Sequence, residues 1–377
     1  MTMGARLKLA RAKAQMSMRS LAKQAGISAM SVSKFERDEM VPRQSTLLKL
    51  AKVLSVQPEY FFRETKVDVL EPAYRKKSRL SKRSQKAIEA EIIDQLERYL
   101  TIEEILLQQN GDYPTFPRFA VREMEQIECA SETLRHQWNL GFDPIENLAG
   151  RLEDHGVKVI ALRAFEKFDG FSCWANGKVP VIAFNQDLPG DRQRFTVAHE
   201  LGHLVLTTQG DHDQEKAAHR FAAAFLVPRT AAFAKLGAKR SNLNFEELKM
   251  LKREFGMSIQ AWVRRAYDLG IIDSSTYQRT FKRIGALGWR IHEPDDLPAL
   301  RPQRLEFLVH QALAEELITP SYASLLMGEE LPTSTREITQ TALSQAAKSL
   351  AAFYATDPEL IEFTEADLLD DVTAKNS

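Results

Sequence analysis

Two histidines four positions apart set the strictest condition on this chain. The run Phe195-Thr196-Val197-Ala198-His199-Glu200-Leu201-Gly202-His203-Leu204-Val205-Leu206 has no proline and spaces Ala198, Leu201, Leu204 and Val205 as one helical side. Residues four apart on a helix stack on one face, so His199 and His203 present their imidazoles to one point. Glu200 lies one position on, rotated by about 100°, which aims its carboxylate beside that point. This is the His-Glu-x-x-His spacing: two zinc ligands and a general base for a metal-bound water. Asp191, after Pro189-Gly190, is placed to cap the helix, and Gly202 leaves room for another backbone or a substrate.

A zinc site of this kind needs a third protein ligand. Residues 207–213 read as a polar turn, in which His212 is solvated, and residues 214–227 as a second helix stopped by Pro228. So short a turn makes the helices antiparallel neighbours. Glu215 then falls beside His203, and His219, one turn deeper, falls level with His199. Glu215 is the expected third ligand. His219 is expected to support a ligand from behind, with direct ligation as the alternative.

The run Arg194-Phe195-Thr196-Val197-Ala198-His199-Glu200-Leu201-Gly202-His203 resembles the ImmA/IrrE-type metallopeptidase family. Its second signature is matched by Glu215-Lys216-Ala217-Ala218-His219-Arg220-Phe221-Ala222-Ala223-Ala224-Phe225-Leu226-Val227-Pro228, although many members carry Asn where this chain has His219. The resemblance implies a minimal zincin fold, a Zn2+ cofactor held by His199, His203 and Glu215, and Glu200 as catalytic base. It also implies a regulatory endopeptidase that cleaves helix-turn-helix repressors.

Zero net charge conceals an asymmetry. Residues 1–90 hold 20 Lys/Arg against 8 Asp/Glu, and the remainder holds 31 against 43. A front at +12 on a body at −12 predicts a polyanion partner for the front. Leu7, Leu9-Ala10 and Ala14 suggest a first helix; a second lies in residues 16–25 with Ser17 as its cap, ended by Gly26. Ser28 caps a third, residues 29–37, and Ser45 opens a fourth. Two short helices joined through Gly, the second capped by Ser, make a helix-turn-helix. This stretch resembles the XRE (lambda-repressor-like) family, most closely at Leu21-Ala22-Lys23-Gln24-Ala25-Gly26-Ile27-Ser28, Val32-Ser33-Lys34-Phe35-Glu36-Arg37 and Leu47-Leu48-Lys49-Leu50-Ala51. By that likeness Ala29, Met30, Ser33 and Lys34 face base edges of a double-stranded operator, and Ser17, Arg19, Lys23, Arg37 and Arg43 sit near phosphates. Met18 and Asp38 depart from the family's common Gln and Gly.

Residues 65–87 carry Lys66, Arg75, Lys76, Lys77, Arg79, Lys82, Arg83 and Lys86 and read as a basic linker. Ile88, Ile92, Leu96, Tyr99, Ile102 and Leu106 follow as a helical stripe that either pairs two chains into a homodimer or packs on the body. Val121, Met124, Ile127, Leu134 and Trp138 suggest a further helix. Strands are expected over residues 157–160, 171–174 and 181–184, the last two joined by an Asn176-Gly177 hairpin. Such a sheet edge can bind a substrate as an added strand. Cys173 on that sheet is either a latch for the open zinc position or a buried small hydrophobe. Arg264, Arg265 and Tyr267 either stabilise a tetrahedral intermediate or serve packing.

The expected fold class is mainly α with a small β-sheet (α+β): an N-terminal lambda-repressor-like helix-turn-helix, a minimal zincin core and a C-terminal helical domain. The expected domains are 1–64 for DNA binding, 65–140 for linker and connecting helices, 141–235 for the peptidase core, 236–299 for its helical extension and 300–377 for a C-terminal helical unit with frayed last residues. Two cysteines, Cys129 and Cys173, no secretory signal and no long apolar run point to a cytoplasmic protein without disulfides or membrane partner. The composite function is a DNA-binding regulator whose zinc endopeptidase cuts a repressor-type protein, or its own chain, on a stress signal. The alternative is a transcription factor whose zinc domain is a non-proteolytic sensor or dimerisation module.

Overall fold

Side-chain caps lay out the N-terminal helices of the computed structural model, which describes residues 2–63, 66–67, 70–73, 80–107, 116–163, 167–208 and 213–328. Thr2 caps α1 (Met3–Lys13), Ser17 caps α2 (Met18–Ala25) and Ser28 caps α3 (Ala29–Glu36), each hydroxyl accepting from a first-turn amide. Gly26 sits at φ 68° and turns the chain between α2 and α3. The fourth helix, α4 (Gln44–Leu54), begins one residue before the expected Ser45, with Arg43 at its cap position and no side-chain cap. Asp38 takes a left-handed φ of 57°, and its carboxylate accepts from Gly4 N (2.8 Å) and from the Thr2 hydroxyl, closing α1 onto the end of α3. Leu7, Leu21, Val32, Phe35, Leu50 and Phe61 form a core of their own beneath these helices.

The expected linker is in part an element of the fold. Val67 is fully buried and β1 (Leu70–Pro72) pairs antiparallel with a central strand. Four of the eight basic linker residues, Arg75, Lys76, Lys77 and Arg79, lie outside the described residues. Next comes α5 (Lys82–Leu107), whose apolar stripe is consumed internally. Ile88, Ile92, Leu96 and Leu100 pack on strand residues Ile160, Leu162, Val181 and Ala183, so that face is not open for chain pairing. Its polar side meets the helix-turn-helix. Arg6, fully buried, donates two hydrogen bonds to Glu97, one of them 3.1 Å long, while Lys13 and Arg63 pair with Asp94.

The chain continues through β2 (Phe119–Val121), α6 (Gln126–Gln137), α7 (Leu148–Asp154), β3 (Lys158–Leu162), β4 (Gly170–Ala175), β5 (Val179–Asn185), α8 (Gly190–Val205), β6 (Leu206–Thr208) and α9 (Gln214–Leu226). Val121 belongs to β2 rather than to the expected helix, because it pairs in parallel with Thr208 of β6. That pairing also makes a strand of the expected polar turn's first residues. The main sheet has the order β1-β4-β5-β3, antiparallel except for β3 beside β5. Asn176 (φ 50°) and Gly177 (φ 69°) form the hairpin turn, as their sequence predicts. One sheet face packs on α5 and the other on α8, with Phe184, Val197, Leu201, Phe221 and Trp262 in the larger core.

Further on lie α10 (Arg229–Leu236), α11 (Phe245–Phe255), α12 (Ile259–Asp268), α13 (Ser274–Ala286), α14 (Arg304–Ala314) and α15 (Pro320–Met327). Residues to Leu308 make one compact unit and those from Val309 a second; in the second, Thr319 caps α15, and residues 329–377, the expected frayed end included, lie outside the described set. The fold is α+β with helix predominant. No helix among the described residues is long and apolar enough to cross a membrane.

Candidate metal centre

Three contacts fix the start and slope of α8. Asp191 does not cap it: Pro189 holds the cap position, and Asp191 in the first turn pairs instead with the buried Lys252 of α11 at 3.0 Å. Its negative charge still suits the helix N-terminus. Lys252 also reaches Glu293 (3.2 Å), whose carboxylate accepts from the Ile259 and Gln260 amides that open α12. At the middle of α8, Gly202 lies against α9: a Cβ there would stand 3.1 Å from both Ala218 Cα and the Phe221 ring. The space foreseen beside Gly202 is filled by a backbone. On the sheet side, a Cβ at Gly170 would lie 2.5 Å from Thr196 and 3.1 Å from Glu200, so β4 can approach α8 this closely only with glycine there.

Those approaches converge three donors. His199 and His203 hold their Nε2 atoms 3.1 Å apart, with their rings edge to face. Asp213 caps α9 by accepting from the Glu215 and Lys216 amides, and this sets Glu215 on the first turn. The Glu215 carboxylate oxygens stand 3.6 Å from His199 Nε2 and 3.7 Å from His203 Nε2. Bonds of about 2.1 Å to a tetrahedral ion separate the donors by about 3.4 Å, so the three atoms fit one zinc ion. Among the described residues this is the one group of three or more such side chains gathered closely enough to hold a metal. His219 packs its ring on that of His199, centroids 4.5 Å apart, and near Phe195 at 5.7 Å. It stands beside the donor group rather than in it. His212 lies outside the described residues.

Glu200 is separate from the three donors, and Ser172 holds it there: the Ser172 hydroxyl donates to Glu200 Oε2 at 2.6 Å. The sequence marks Ser172 only as a strand residue. Its partnership with Glu200 spans 28 positions and leaves no local trace. Cys173, the next residue, points to the opposite sheet face, because successive strand side chains alternate. It is fully buried among Ile160, Val181, Ile92 and Leu96, and burial, with the Glu200 and Glu89 charges adding, pushes its thiol up to about 12. A thiol so placed cannot serve as the latch. Arg265, Arg264 and Tyr267 are also accounted for away from the donors. Arg265 is fully buried in a two-armed pair with Glu128 (2.5 and 2.7 Å), Arg264 pairs with Asp268, and Tyr267 stacks on Tyr277. Burial would raise the Glu128 carboxyl, but hydrogen bonds and charge from Arg265 and Arg220 outweigh it and hold the group below the usual range.

On the helix-turn-helix, Ser17, Arg19, Lys23, Met30, Lys34, Arg37 and Arg43 are exposed, and Ala29 and Ser33 are half-buried. Val32 and Phe35 are core, as their spacing predicts. Arg37 lies 3.2 Å from Glu39.

Residues 7–61 match the family model described as a helix-turn-helix. Residues 152–267 match the model described as the IrrE N-terminal-like domain. The chain joins a helix-turn-helix domain to an IrrE-like domain. No curated protein matches it. The IrrE-like match opens in α7 and closes in α12, so it spans β4, the His-Glu-x-x-His helix and Glu215. The domain has a metallopeptidase-type fold.

Proposed function

We propose that this protein is a cytoplasmic DNA-binding transcriptional regulator whose IrrE-like domain is a zinc endopeptidase. Its substrate is a helix-turn-helix repressor or a further copy of its own chain, cut on a stress signal. The observation that carries the reading is the placement of Glu200: beside a donor set that fits zinc, yet outside it and hydrogen-bonded by Ser172. A purely structural ion has no use for such a carboxylate.

His199, His203 and Glu215 would hold the ion, which when bound lowers the pKa of a water and polarises a peptide carbonyl. Glu200 takes the water's proton and returns it to the leaving amine. Ser172 keeps that carboxylate turned to its task. His219 steadies the His199 ring from behind. On DNA, Lys34, Ser33, Met30 and Ala29 read base edges, while Ser17, Arg19, Lys23, Arg37 and Arg43 bind phosphates.

Incubating the zinc-loaded chain and its Glu200→Gln variant with operator DNA and purified repressors, read by mass spectrometry, tests this. Cleavage that depends on Glu200 is expected. Zinc binding and DNA binding without any Glu200-dependent cut would leave a non-proteolytic sensor module.

A further inference from the structure

Strand β4 carries Ser172, which holds Glu200, and the chain itself covers the outer edge of that strand. Residues 70–72 run antiparallel to β4 in the register Leu70↔Ala175, Glu71↔Trp174 and Pro72↔Cys173, and Ala73 N donates to Ser172 O at 3.0 Å. Ser172 therefore makes two contacts at once: its carbonyl accepts from the added strand, and its hydroxyl holds Glu200. Glu71, Pro72 and Ala73 also line a cavity of about 310 Å³ together with Trp174, Gly202 and His203. An extended peptide adding to a free strand edge makes this same pairing.

We propose that residues 70–73 are a built-in peptide ligand lying in the enzyme's own substrate position, and that a peptide in trans docks only by displacing them. The segment is made for exchange. Three residue pairs supply few ladder hydrogen bonds, each worth about 1 kcal/mol net. Pro72 has no amide hydrogen to give, and Glu71 and Pro72 are exposed. Upstream the chain is pinned: Val67 is fully buried, Lys66 O accepts from Asn176, and Lys66 N donates to Glu97, the residue that also holds Arg6. Release of the strand can thus occur without loss of its anchor. The anchor shares a carboxylate with the DNA-binding domain, which gives that domain a route to the strand. Its meaning for cleavage rests on the peptidase reading; the docking claim does not.

The test uses the full-length, zinc-loaded Glu200→Gln chain, so that nothing is cut. A fluorescent peptide copying residues 66–80 is titrated against it, against the same chain with Ala73→Pro, and against one with residues 70–73 replaced by Gly-Ser-Gly-Ser. Tighter binding by tenfold or more in both altered chains, measured by anisotropy, is expected. Equal affinity in all three, or no binding by any, overturns the proposal. Hydrogen exchange on the otherwise unaltered Glu200→Gln chain guards against misfolded variants: saturating peptide raises exchange across residues 70–73, and unchanged exchange overturns the proposal. Failure of the peptidase reading looks different. The peptide would bind the opened chains, yet the Glu200 protein would cut neither it nor any repressor.

Discussion

Ser172 on β4 and Glu200 on α8 are joined by a 2.6 Å hydrogen bond across the gap that Gly170 permits. Charge-assisted bonds of this length orient a carboxylate. Ser172→Ala is expected to lower kcat by about 10–100-fold, the usual scale for removing such a support, with zinc content unchanged. The loss should fall on kcat rather than KM, since the bond orients the Glu200 carboxylate.

Glu215→Ala leaves two imidazoles, too few for a tight site. Zinc affinity is expected to fall by at least about 100-fold, measured by competition with a chromophoric chelator. Chelation should also lower the Tm of the wild type and leave that of Glu215→Ala unmoved.

Glu128 takes charge-assisted hydrogen bonds from the buried Arg265 and from Arg220, and removing Arg265 leaves that buried carboxylate with Arg220 as its remaining cation. Arg265→Ala is expected to cost about 3–5 kcal/mol in denaturant unfolding. The double change Glu128→Met/Arg265→Met should recover most of that loss, with cleavage activity retained. Activity lost in proportion to oxyanion stabilisation would instead return Arg265 to the chemistry.

Glu153, buried on α7, accepts from the Gln303 and Arg304 amides at 3.3 Å each, but its environment favours the neutral acid. Burial, only partly offset by those bonds and by Arg304 and Lys158, raises its carboxyl to about 7. The folded value lies above the unfolded one, so its contribution is full below about pH 4.5 and is lost as pH rises through 7. Glu153→Gln is accordingly expected to be more stable than wild type by about 1–3 kcal/mol at pH 8, with the gap closing toward pH 5.

Local patterns were readable and distant ones were not. His199, Glu200 and His203 announce themselves because one helical turn relates them, and Ser17, Gly26 and Ser28 because caps act within three residues. The bond from Ser172 to Glu200 and the pair of Glu128 with Arg265 join positions 28 and 137 residues apart, and no period records them. Strands β1, β2 and β6 have three residues each, too short for alternation to show. The stripe on α5 was visible, but its destination depended on a sheet formed far downstream. Asp191 looked like a cap because a carboxylate near a helix start usually is one; the buried ammonium of Lys252 claimed it instead.

Lys34 and Arg43 test the front of the molecule. Lys34→Ala should weaken operator binding by about 1–3 kcal/mol if it reads a base edge. Arg43→Ala should weaken all sequences alike and reduce the salt slope by about one unit. Electrophoretic mobility shifts at three salt concentrations distinguish the two roles.

The joint between the DNA-binding helices and α5 is made chiefly of ions: Arg6 with Glu97, and Lys13 and Arg63 with Asp94. Each side keeps its own oily interior, so parting them would chiefly wet charges, along with the Tyr60 ring that lies under Arg6 and Arg63. Because the carboxylates of that joint are buried, dissolved salt reaches them poorly, and the front should keep its grip in brine that strips looser surface pairs.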